Sequence, residues 1–75
     1  MIVKDLLDVF GNVDVAIHRP VHWVDTDDYT FCCLYSGVAS KTPDMVLKLT
    51  VESAEPTSQG LNIDVEEMIV GEVGD

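Results

Sequence analysis

The sequence is poor in positive charge and in cysteine, and each shortage excludes something. Four Lys and Arg stand against fourteen Asp and Glu, for a formal net charge of −10. A field of that sign repels phosphates and anionic membrane surfaces, which argues against direct nucleic-acid or membrane binding, and it attracts basic proteins. The two cysteines, Cys32 and Cys33, are adjacent. Neighbours rarely bridge each other, so no disulfide framework is available, and the usage fits a reducing cytosol. The opening MIVKDLLDVF carries an acid at position 5 and has no long apolar stretch. It reads as neither a signal peptide nor a membrane span. G-x-S-x-G, P-loop, G-x-G-x-x-G and C-x-x-C motifs are all missing. A catalytic nucleophile needs a base and an orienting group, and no such trio can be selected. The expectation is a non-enzyme without a cofactor.

What is present is a foldable pattern. Hydrophobic residues make up 47% of the 75-residue chain, too many for a disordered acidic tail. The length allows one domain, 1–75. A domain of this size buries only roughly 60% of its unfolded surface, so its own core gives thin stability.

Val3, Leu6, Leu7 and Phe10 form one apolar stripe at i, i+3, i+4 and i+7, which predicts a helix ending at Gly11 and Asn12. VDVAIH (13–18) alternates as a strand, and Pro20 is expected to end it or to make it an edge. YTFCCLY (29–35) has apolar groups on both faces and reads as a central strand, with Tyr29, Phe31, Cys33 and Tyr35 on one side. In SKTPDMVLKL, Thr42 suits an N-cap and Pro43 the first helical position, predicting a short helical turn over 43–48. LTVESA (49–54) and LNIDVEE (61–67) read as a hairpin joined by EPTSQG. MIVGEVGD is ambiguous between a strand extension and a frayed end. The predicted architecture is α+β: one four-stranded antiparallel sheet with the N-terminal helix on one face.

HWVDTDDY (22–29) is the densest cluster of chemical groups. Asp25, Asp27 and Asp28 begin like a calcium loop, but the sixth and twelfth positions hold Thr30 and Ser36 where that loop needs glycine and glutamate. His18 and His22 have the spacing of a helical zinc pair, yet Pro20 lies between them in an extended segment. The reading is an acidic turn between two strands and no metal. The two thiols fall on opposite strand faces, and a partly buried thiol beside a surface histidine is the plain alternative to a site. Phe10, Phe31 and Tyr35 are expected in the core. Trp23, in the loop between strands, is the expected contact residue.

The acids suggest a surface. Asp14, Glu52, Asp64 and Glu66 are expected on the open sheet face or its rim, with Asp25, Asp27 and Asp28 extending the charge at one end. Carboxylates in rows resemble phosphate spacing closely enough to occupy a basic groove, although ordinary solvated polarity explains the same residues.

The chain also resembles a class of short proteins encoded by phages and prophages of Gram-positive bacteria. The likeness rests on the MIVKDLLDVF opening, the aromatic strand ending in LYSGVAS, the proline-started turn TPDMVLKL and the closing hairpin LTVESAEPTSQGLNIDVEE. The stretch from His18 to Asp28 departs from that pattern. The class includes inhibitors of host defence such as anti-CRISPR proteins, some of them nucleic acid mimics. The resemblance implies a protein of the host cytoplasm that binds and blocks a basic nucleic-acid-handling protein or nucleoprotein complex. One rival is a sponge for a small signalling nucleotide, which would need Arg19, Lys41 and Lys48 to converge. Another is an accessory protein that self-associates, a homodimer included, through Met68 to Val70.

The metal reading is checked by calorimetric titration with calcium and with zinc. No tight stoichiometric binding is expected, and a complex lost in Asp25→Asn or His22→Ala would contradict it.

Overall fold

A computed structural model describes residues 1–71; Glu72 to Asp75, the end of the ambiguous tail, lie outside the described residues. The elements are α1 (Val3–Phe10), β1 (Asp14–Trp23), β2 (Asp28–Val38), a single 3-10 turn (Ala39–Lys41), α2 (Asp44–Leu47), β3 (Val51–Pro56), β4 (Gly60–Val65) and β5 (Met68–Val70). The class is α+β. The sheet, however, has five strands and is mixed, not four and antiparallel. Its order is β2-β1-β4-β3, and β5 pairs with β1 beyond the end of β4. β1 and β4 run parallel because the chain leaves β2, passes through the 3-10 turn and α2, and returns through the β3–β4 hairpin. A parallel pair needs such a long crossover.

α1 forms where the apolar stripe predicts. Val3, Leu6 and Leu7 are buried, whereas Phe10, the last residue of the helix, is 45% exposed and is not the core residue expected. Gly11 takes φ 83 and its N–H bonds the Leu7 carbonyl, the left-handed stop that glycine allows. Val3, Leu6, Leu7, Val15, Ile17, Ala39, Val46, Leu61, Ile63 and Val65 make the core. The segment around Leu49–Val51 ties its layers together: Val3 N–H bonds the Leu49 carbonyl, Val51 N–H bonds Met1, and Glu66 N–H bonds Thr50. Thr42 does not cap α2. Its hydroxyl donates to the Ala39 carbonyl and closes the 3-10 turn, while Pro43 occupies the N-cap position.

Three features of the sheet differ from the sequence expectation. Pro20 lies within β1, not at its end. β1 pairs with β4 up to His18 and with β5 from Val21, so the residue without an N–H sits where β1 changes neighbour. β2 is an edge strand, and β1 is the central one. Finally, the β1–β2 register shifts between Ile17 and His18, with Ile17 opposite Tyr35 and His18 opposite Cys33. Leu34 is the extra residue of a bulge, which turns both Leu34 and Tyr35 toward the core. Tyr35 therefore does not share a face with Tyr29, Phe31 and Cys33.

The molecule is elongated, 45 × 23 × 17 Å. The core cluster reaches β1 only through Val15 and Ile17. Beyond them the β1–β2 hairpin, flanked by β5, continues as an arm. Among the described residues, no helix is long and apolar enough to cross a membrane.

Leu7 tests this packing. Leu7→Ala should cost about 2–5 kcal/mol, because a buried leucine loses both its transfer energy and its fit. Urea denaturation reads the loss, and unchanged stability would show that the stripe does not face a core.

Candidate functional site

The arm is where the chain leaves apolar chemistry uncovered. Residues directly opposite in register share a sheet face. On the face without helices, His22 lies opposite Tyr29, Pro20 opposite Phe31 and His18 opposite Cys33. The same register brings Ile69 of β5 beside His22. Tyr29 is 61% exposed, Phe31 67% and Ile69 61%. Phe31 is thus not the core residue expected from its apolar neighbours. The sequence carries no clear signal of this, since the run YTFCCLY spans seven residues and the strand eleven.

His22 organises the end of the arm. Its ring stacks on Tyr29 with centroids 4.3 Å apart and planes 5° from parallel. Nε2 lies 3.0 Å from an Asp27 carboxylate oxygen, and Nδ1 lies 3.7 Å from Glu67. Asp27 reaches back because it adopts φ 54 in the Val24–Asp27 turn, a conformation that aspartate tolerates better than most residues. HWVDTDDY is therefore an acidic turn between two strands, as expected. Trp23 belongs to β1 and not to the loop, and it lies on the opposite, helix-side face. It is 43% exposed, and its indole N–H donates to the Thr30 hydroxyl at 2.9 Å.

The structure scatters the acids that the sequence suggests as a row. Asp14 and Asp64 share the open face, but Asp64 lies opposite His18, four positions along β1 from Asp14. That is about 13 Å along a strand. Asp64 also accepts a bond from the Ser53 hydroxyl at 3.3 Å. Glu66 lies 3.8 Å from the largely buried guanidinium of Arg19. Glu52 is the extra residue of a second bulge, between Val51 and Ser53. Asp25, Asp27 and Asp28 do cluster, at the arm's turn, and all three are exposed. The acidic feature is a ringed tip and not a stripe.

Other candidates stay apart. His18 and His22 are on the same face but about 13 Å apart along β1. Cys32 and Cys33 point to opposite faces, opposite Arg19 and His18, and both are exposed instead of partly buried. Among the described residues no three His, Cys, Asp or Glu side chains converge as metal ligands would. Arg19 is taken by Glu66 in β1, while Lys41 belongs to the 3-10 turn and Lys48 follows α2. No family model, curated protein or solved structure matches the chain.

The Trp23–Thr30 bond offers a local check. Thr30→Val keeps the shape and removes the acceptor, and the loss should be at most about 1 kcal/mol, since water can replace an exposed partner. Trp23, the only tryptophan, should report it as a shifted emission over an unchanged far-UV spectrum. An unmoved emission would show that the bond does not hold the indole.

Proposed function

We propose that the chain is a non-enzymatic binding protein that seats the end of its β1–β2 arm on a basic, nucleic-acid-handling partner and blocks it. One observation carries the reading: Tyr29, Phe31 and Ile69 are uncovered on one face, beside a turn holding Asp25, Asp27 and Asp28. Rigid aromatics that lose their water at the centre of a contact supply most of the energy of an interface. Charges around the rim choose the partner's sign and speed the encounter. An apolar centre with carboxylates at its margin fits a site that is itself basic at the edge, as a phosphate channel is. By the resemblance to phage-encoded inhibitors, that partner is a host defence nuclease complex, with the protein acting in the host cytoplasm. The chain would not bind DNA and would compete with DNA for its partner.

A second reading has its own support. Asp27, Glu66 and Glu67 already face histidine or arginine within the chain, which leaves fewer free carboxylates to imitate phosphate. The contact would then be chiefly apolar.

Salt separates the two. Exposed charges are screened within about 10 Å at 0.1 M salt. Binding to the partner captured from a Gram-positive host lysate should weaken as salt rises, mainly through a slower association rate. Asp25→Asn, Asp27→Asn and Asp28→Asn together should flatten that dependence. Tyr29→Ala with Phe31→Ala should weaken capture by tenfold or more, about 1.4 kcal/mol or above. A flat salt series in the wild type would end the phosphate-mimic reading. Undiminished capture by the aromatic double variant would end the arm as the docking site.

A further inference from the structure

The two edges of the sheet are built differently. The β3 edge is defended: VESAEP carries Glu52 on a bulge, Glu55 and Pro56. Charges, bulges and proline are the devices that keep a strand edge from pairing with another chain. The β2 edge has none of them from Tyr29 to Cys33. That stretch is regular in register, and the bulge comes only after it, at Leu34. From Tyr29 to Ser40 the sequence has no Asp, Glu, Lys, Arg or His, in a chain whose net charge is −10. The uncovered Tyr29 and Phe31 lie on this same strand.

We propose that the outer edge of β2 is a self-association surface, on which two copies pair antiparallel over Tyr29–Cys33 about a two-fold axis at Phe31. Three considerations select a second copy over a foreign strand. A two-fold contact is self-complementary, and an edge free of charge is complementary to itself. A foreign basic strand would find no charge to attract it along this edge, which carries no acid from Tyr29 to Ser40. The antiparallel sense also keeps the acids apart: with Phe31 on the axis, Asp25, Asp27 and Asp28 of each copy lie beside the uncharged Leu34–Ser40 stretch of the other. A parallel pairing would stack the two acidic turns. The register is restricted further, because residues opposite each other must share a face, so the axis passes through a residue and not between two. Phe31 then meets its twin on the open face, and Tyr29 meets Cys33 of the second copy.

Pairing supplies what the arm lacks. Beyond Ile17 it is a narrow ribbon of β2, β1 and β5, in which Val21 is the one buried apolar residue of β1. Joining two arms merges the sheets and gives each Phe31 a neighbour. It also places both copies' Tyr29 and Phe31 side by side on one open surface. The inference goes beyond the proposed docking function, and its test involves no partner, so either can fail alone.

The test is solution mass against protein concentration, followed by light scattering or sedimentation. The wild type should pass from 8.2 kDa toward twice that mass as concentration rises. Phe31→Lys should hold it at 8.2 kDa with an unchanged far-UV spectrum. In a Cys32→Ser, Cys33→Ser background, Phe31→Cys should form a covalent dimer with oxidised glutathione, and Ser58→Cys, in the β3–β4 turn, should not. If Phe31→Lys fails to fold, the contrast between cross-linking at 31 and at 58 decides. A monomer at every concentration would overturn the proposal. So would a dimer that persists in Phe31→Lys and fails to cross-link at 31, or growth into open-ended polymers.

Discussion

β1 is longer than the layer that covers it. Its ten residues form the spine of the sheet, and three other strands pair with it. The helical layer seals only Val15 and Ile17 together with Leu61, Ile63 and Val65 of β4. An eight-residue helix and a four-residue one cannot shield a hairpin of this length. The rest follows from that mismatch. The first half of the hairpin belongs to the core. The second half projects, with β5 as its further neighbour among the described residues, and shows aromatic residues to solvent.

The same mismatch explains what the sequence conceals. Helix α1 was legible because its stripe has a clean helical period and Gly11 marks its end. The β3–β4 hairpin was legible because Leu61, Ile63 and Val65 alternate and Pro56 and Gly60 bracket its turn. Gly60 also permits close pairing, since a Cβ there would run into the Asp14 carbonyl. The role of β2 was not legible. Apolar residues on both faces are what a central strand shows, and YTFCCLY shows them. The causes differ here: Leu34 and Tyr35 are turned inward by a bulge, while Tyr29 and Phe31 are left exposed. A bulge has no fixed sequence pattern, and edge position is decided by strands far away in the chain. Pro20 misleads for a related reason. It normally ends a strand, but here it occupies the gap where β4 gives way to β5.

Of the candidate site, composition conveyed the charge but not its arrangement. Alternation put Asp64 and Glu66 on one outward row, yet the strand stops at Val65 and Glu66 turns to Arg19. Asp27 is drawn to His22 by the left-handed turn. What remains concentrated is the tip: Asp25, Asp27 and Asp28 beside the stacked His22 and Tyr29. Acid at the turn and neutrality along β2 divide the arm into a charged tip and an uncharged edge, the two parts on which the proposed docking and the proposed pairing rest.

The central claim is that the β2 edge, which no described strand pairs, is a surface on which a second copy pairs. Residue-resolved amide hydrogen exchange in dilute and in concentrated protein tests it most directly. In dilute protein, alternate amides of Tyr29–Cys33 should exchange fast, while amides of β1 that bond its neighbouring strands stay protected. In concentrated protein the fast set should become slow and the rest should be unaltered. Slow exchange of all these amides in dilute protein, or new protection that appears elsewhere and leaves β2 unchanged, would contradict the account.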